Sequence, residues 1–160
     1  METSTLIEAQ RASFDDLPIS GPMRKAIADQ RWENPTPIQA LALPELLGGD
    51  DVVGLAQTGS GKTAAFSIPL IESIDRKARG IQALVLVPTR ELAAQAATEI
   101  KNLSRGGSAR PPVVLTGGVS IGPQIKALKD RSINVVVGTP GRILDHLNRG
   151  TLRLDAVRYL

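Results

Sequence analysis

The sequence predicts an α/β fold, a parallel sheet covered by helices on both faces. Three observations carry this. Short apolar runs alternate with helix-patterned segments from residue 51 onward. The runs are apolar throughout instead of alternating, as strands buried on both faces must be. Several are followed at once by a helix-start signal, a capping Thr or Ser or a Gly-rich turn. The chain of 160 residues is one domain's worth, and 42% apolar with 22% charged residues excludes a globally disordered polypeptide. No apolar run approaches the ~20 residues of a membrane helix, and the opening METSTLIEAQ lacks a signal-peptide core. Cysteine is absent, which excludes disulfides and thiolate metal sites and fits a cytoplasmic protein.

In chain order, residues 1–12 read as a tail and 13–160 as the domain, with an acidic helical extension at its front. That extension holds helices over 22–30 and 37–47, the second stopped by Gly48-Gly49, and is expected to pack against the sheet domain. A short buried strand is expected over 51–56, then a helix over 62–77 that Pro69 should kink. Strands at 83–87, 113–116 and 134–137 follow, separated by helices at 90–103 and 121–130 and followed by one at 140–148. Residues 104–112 read as a surface loop, and 157–160 as the beginning of another strand. There is no sequence repeat and no low-complexity segment.

The net charge of +3 conceals an asymmetry. Residues 1–50 carry 4 basic and 8 acidic groups, 51–100 carry 5 and 5, and 101–160 carry 10 and 3. A basic second half suits a polyanionic partner, and a scattered, solvated surface accounts for it equally well.

Ala56-Gln57-Thr58-Gly59-Ser60-Gly61-Lys62-Thr63 lies between an expected strand and an expected helix, the context a phosphate-binding loop requires. Gly59 and Gly61 allow successive N–H groups to turn inward on an anion, to which the helix N-terminus adds its dipole. Lys62 can reach outer phosphates, and Thr63 offers a hydroxyl to Mg²⁺. Ala at the first position replaces the commoner Gly.

Ligands of such sheets bind at the C-terminal ends of the strands. Three more helices begin there, after Pro88-Thr89-Arg90-Glu91, after Gly117-Gly118-Val119-Ser120, and with Thr139-Pro140-Gly141-Arg142. Thr89, Ser120 and Thr139 are natural N-caps, and Pro140 suits the first helical position. These are capped helices with solvated arginines, or a row of anion sites that a nucleic-acid backbone could follow. Upstream, Thr36-Pro37-Ile38-Gln39 reads as a capping box, or Gln39 presents its amide to the edge of an adenine. Trp32 either stacks on a base or packs one helix on another.

Taken together, Trp32-x-x-Pro35-Thr36-Pro37-Ile38-Gln39, residues 56–63, Pro88-Thr89-Arg90-Glu91-Leu92-Ala93, Gly117-Gly118 and Thr139-Pro140-Gly141-Arg142 resemble DEAD-box RNA helicases in order and spacing. The resemblance extends from about residue 13 to 160 and includes Phe14 as the family's isolated upstream aromatic. It implies a P-loop NTPase domain of RecA-like fold, with adenine recognition in the extension at 13–40. Gln39, Trp32 and Phe14 would serve the base of ATP or ADP. Ala56, Gln57, Thr58, Gly59, Ser60, Gly61, Lys62 and Thr63 would serve its phosphates, with Mg²⁺ on Thr63. Lys62 and Thr63 would take part in hydrolysis. Single-stranded RNA would run along Pro88, Thr89, Arg90, Glu91, Gly117, Gly118, Thr139, Pro140, Gly141 and Arg142, bound through its backbone without sequence preference. Arg31 stands where the family usually has Gly before the aromatic.

The resemblance further implies an Asp-Glu-Ala-Asp motif, to hold Mg²⁺ and orient water, and a second RecA-like domain supplying arginine fingers. The 160 residues contain no such acidic run. As a separate piece they are therefore expected to lack a central strand, to be marginally stable, and to bind ATP without hydrolysing it. The readings from other classes are a non-enzymatic nucleotide or RNA-binding module and an unrelated P-loop ATPase. His146, a lone helical histidine, receives no role.

Overall fold

The computed structural model describes residues 12–106 and 109–160. The expected tail, except for its last residue, and the middle of the loop expected at 104–112 lie outside the described residues. The chain divides into two compact units, Met1–Ser73 and Ile74–Leu160.

In the first unit, Ser13 opens a single 3-10 turn, Phe14–Asp16, by accepting from the Asp15 N–H at 3.1 Å. Helix α1, Gly21–Asp29, begins at Ser20, whose hydroxyl accepts from the Met23 N–H and donates to Glu72 at 2.8 Å. Helix α2, Pro37–Gly48, ends in a left-handed Gly49, φ 96°. Helix α3, Lys62–Glu72, runs on through a buried Pro69 and buries Ala64, Ala65, Ser67, Ile68, Leu70 and Ile71. Helices α2 and α3 pack against each other, so the extension shares a core with the helix that follows the glycine-rich loop.

The strand expected at 51–56 does not form. Residues 51–57 have no regular structure, with Val53 and Leu55 both 93% exposed. Apolar composition favours burial, but a strand exists only as part of a ladder. No β-bridge reaches this segment among the described residues.

The second unit is built on three parallel strands, β1 Ala83–Leu86, β2 Val113–Leu115 and β3 Val135–Gly138, in the order β1-β3-β2. Ala83 stands opposite Val135 and Val113 opposite Val136, and every residue of β3 is buried, as a central parallel strand requires. The strand expected at 157–160 is reduced to one bridge, Tyr159 beside Ala83, on the edge of β1 away from β3. Helix α4, Arg90–Leu103, follows β1; α5, Ile121–Leu128, follows β2; α6, Pro140–Asn148, follows β3.

Right-handed crossovers assign these helices to faces. The move from β1 to β2 runs in one direction across the sheet, whereas β2 to β3 and β3 to Tyr159 run in the other. Hence α4 covers one face and α5 with α6 the other. The core agrees: Leu84, Val113, Leu115 and Val136 cluster with Ile143 of α6 and with Ala127 and Leu128 of α5. Gly138 permits the close seating of α6, because a Cβ there would stand 2.6 Å from Ile143 Cδ1 and 2.7 Å from the Leu115 carbonyl.

Two helices are shorter than the sequence suggests. Expected to reach residue 77, α3 stops at Glu72, and Asp75 instead accepts the Lys77 N–H on its carboxylate at 2.8 Å. Expected to reach 130, α5 stops at Leu128, and Asp130 accepts both the N–H and the hydroxyl of Ser132. Asp side chains that capture the backbone two residues on compete with the helix and end it. No helix among the described residues is long and apolar enough to cross a membrane.

Candidate nucleotide cradle and anion-binding edge

In the first unit the glycine-rich loop turns on two left-handed residues, Gly59 at φ 79° and Gly61 at φ 89°. Gly61 is doubly constrained. A Cβ there would lie 2.5 Å from Gln39 Nε2 and 2.8 Å from Thr36 Oγ1, so neither the backbone nor the space admits a side chain.

The neighbour that fills this space is Gln39, 4% exposed. Its Oε1 accepts from the Thr36 N–H at 3.0 Å, and its Nε2 donates to the Gly61 carbonyl at 3.1 Å. The helix-capping role is thus present, together with a bond across to the loop that capping does not need. The expected capping box is present in position, yet Thr36 Oγ1 is buried without a full hydrogen bond, as is Ser60 Oγ in the loop. Lys62 folds back over the loop, donating to the Gln57 carbonyl at 2.6 Å and to the Ala56 carbonyl. Thr63 is half-buried in the first turn of α3.

Trp32 is half-buried and Phe14 buried, both in this unit. The backbone before Trp32 explains its position. The Trp32 N–H bonds to the Ile27 carbonyl and the Arg31 N–H to that of Ala28, the paired closure of a helix by a left-handed residue. That residue is Arg31, φ 59°, the only non-glycine with positive φ among the described residues.

In the second unit the three helix starts converge at the C-terminal edge of the sheet. Thr89, Ser120 and Thr139 occupy the N-cap positions, and the Thr89 hydroxyl alone makes a cap bond, to the Leu92 N–H at 3.2 Å. Arg90 lies over the glycine pair: its Nη1 is 1.8 Å from where a Gly118 Cβ would stand, at φ 78°. Arg142 reaches the same loop from α6, donating to the Val119 carbonyl at 3.0 Å and to Gln124 Oε1 at 3.1 Å. Pro88, Glu91, Pro140 and Gly141 are exposed, while Gly117 and Thr139 are half-buried.

Two residues that no sequence motif marks hold this edge together. Gln124 Nε2 donates to the Thr116 carbonyl at 3.0 Å, so its Oε1 is the acceptor that Arg142 and His146 Nε2 share, each at 3.1 Å. His146 is fully buried, with Nε2 beside Gln124 Oε1 and Nδ1 2.8 Å from the Thr151 hydroxyl; a proton on Nε2 suits the Gln124 acceptor. Burial first, and the Arg142 guanidinium second, hold its pKa below the ordinary imidazole range. Gln124 and His146 sit on different helices, so no spacing in the sequence links them.

A glycine-turned loop opening a helix, and a parallel sheet with helix N-termini along one edge, define a P-loop α/β protein. The DEAD/DEAH box helicase family matches residues 36–160, and the chain belongs to that family. It is 51% identical over 148 residues to the ATP-dependent RNA helicase DeaD of Klebsiella pneumoniae, covering 92% of this chain and 23% of that protein. It is 48% identical over 145 residues to the DEAD-box ATP-dependent RNA helicase CshA of Bacillus subtilis, covering 91% and 29%. Among solved structures, a DEAD box protein from the hyperthermophile Methanococcus jannaschii superposes with a TM-score of 0.82 at 47% identity, over 92% of this chain and 40% of that one. The chain therefore spans about a quarter of the length of these bacterial relatives.

Proposed function

We propose that the chain is the ATP-binding and RNA-binding front part of a cytoplasmic DEAD-box RNA helicase, which couples ATP hydrolysis to local duplex unwinding or remodelling of RNA–protein complexes. The observation that carries this reading is the bond between Gln39 and Gly61. It ties the residue able to read adenine to the backbone able to hold phosphates, so base identity and loop geometry are one mechanical unit.

The residues fit a nucleotide. Gly59 and Gly61 give the loop its left-handed turns, the buried Ser60 hydroxyl has a free hydrogen bond to give, and Lys62 donates to neutral carbonyls. Exchanging those carbonyls for phosphate oxygens would give the ammonium charged acceptors. Phe14 and Trp32 shape the base side. Thr63 would be this chain's ligand for Mg²⁺, alongside the acidic motif that the family resemblance implies, and the ion would neutralise phosphate charge.

The RNA backbone is assigned to Pro88, Thr89, Arg90, Glu91, Gly117, Gly118, Thr139, Pro140, Gly141 and Arg142. Support comes from the convergence of Arg90 and Arg142 on the loop at 117–120 and from the Thr139 hydroxyl, which makes no cap bond. A second RecA-like domain would complete the groove.

Competition binding of ATP and GTP tests the base assignment. Gln39→Glu keeps the cap acceptor but removes the donor, and should cut the preference for ATP about tenfold, within the range for losing one base-edge contact. An unchanged preference would separate Gln39 from the base and leave it a structural cap.

A further inference from the structure

The loops that enter the three strands carry charge that the edge above does not use. A cavity of about 500 Å³ opens at the N-terminal ends of the strands, lined by Arg76, Lys77 and Arg79 before β1, Arg110 before β2, and Arg131 before β3. It meets five cations and one carboxylate, Asp130. None of the five cations forms an ion pair among the described residues. Asp130 is engaged by both donors of Ser132. A second cavity of about 440 Å³ shares Arg79, Asp130 and Arg131 with the first, so the charged floor continues as a groove.

This is a held arrangement. Buried Gln82 accepts from the Asp75 N–H and donates to the Asp75 carbonyl, both at 2.9 Å, which closes the loop bearing Arg76, Lys77 and Arg79. Asn134 Nδ2 reaches the Gly80 carbonyl at 3.3 Å and ties that loop to the entry of β3. The loop cations before β1 are therefore held beside the entry of β3, and Arg110 lines the same cavity, although like charges repel.

We infer that this rim is a second RNA-binding surface, for the phosphodiester backbone, on the edge of the sheet opposite Arg90 and Arg142. The lining selects the partner. Four guanidiniums suit bidentate phosphate contacts, and neither cavity has an aromatic side chain to stack a base or anchor a protein. Interfaces with nucleic acid are polar and strongly positive in this way. Because all strands are parallel, loops entering and leaving them lie on opposite edges, separated by roughly 10–13 Å of strand at three or four residues each. One RNA could pass along the exit edge while a second segment, or its flanking duplex, rests on the entry edge. The choice of RNA as the polyanion rests on the proposed function.

The test is RNA binding by the full-length protein, wild type and Arg79→Gln/Arg110→Gln/Arg131→Gln, across a salt series. Neutralising three phosphate contacts should weaken binding tenfold or more and lower the slope of log K against log salt by about 2, at ~0.7 per contact with single strands. ATP affinity should stay unchanged, and the corresponding triple Lys variant should restore most of the binding. Ultraviolet cross-links mapped by mass spectrometry should fall in residues 76–79, 109–110 and 130–132 of the wild type and persist in Arg90→Gln/Arg142→Gln. Unchanged affinity and slope, or cross-links confined to the exit edge, would overturn the inference and leave the proposed function standing. Poly-glutamate competing as well as RNA would overturn the choice of ligand. A wild-type protein that binds no RNA would overturn both.

Discussion

Arg31 shows how far a single residue can be read. The sequence marks it as a departure from the family's glycine, and the structure gives the departure a physical meaning: φ 59°, at the left-handed closure of α1. An L-residue there carries a strain of about 1 kcal/mol that glycine does not. Arg31→Gly should therefore raise the denaturation midpoint, by up to about 1 kcal/mol of stability less the entropy that glycine adds to the unfolded chain. A lowered midpoint would mean that the Arg31 side chain makes compensating contacts. Gln39 is the other instructive residue, because its amide does more than cap a helix. One amide oxygen caps α2 while its nitrogen holds the loop.

At the scale of elements, helix starts were legible and helix ends less so. Arg90 and Pro140 begin α4 and α6 where capping chemistry places them, because a cap is a local event between residues two or three apart. The ends of α3 and α5 depend on whether Asp75 and Asp130 capture their own backbone, which competes with one more helical turn on nearly equal terms. Segment 51–56 shows the same limit more strongly, since its strand depends on a partner that no local pattern reports. The junction of α5 and α6 was invisible for the same reason: Gln124 and His146 meet only after both helices dock.

That junction has a pH signature. His146 is held neutral with its pKa below the ordinary value, so the unfolded chain takes up a proton that the folded one resists. Stability from this site is complete above the ordinary imidazole pKa of about 6.5 and falls as pH drops below it. Urea denaturation at pH 7 and 5.5 should show a loss on acidification that His146→Gln diminishes. An equal loss in the variant would assign the pH dependence to other groups.

Over the whole molecule, the two proposed sites fall in different units. The proposed nucleotide cradle lies in the first, where Gln39 is bonded to Gly61 and Lys62 to the loop carbonyls. The proposed RNA edge lies in the second, where Arg142 is bonded to Gln124 and Arg90 lies over Gly118. The order of motifs in the sequence marked the residues of both proposed sites; the hydrogen bonds that hold them became visible only in three dimensions. Hydrogen–deuterium exchange of the full-length protein, with Mg-ATP and with single-stranded RNA added separately, tests this assignment most directly. ATP should slow exchange in residues 57–63, and RNA in 89–91, 117–120 and 139–142. ATP protection that bypasses the glycine-rich loop, or RNA binding that leaves all three helix starts unchanged, would contradict it.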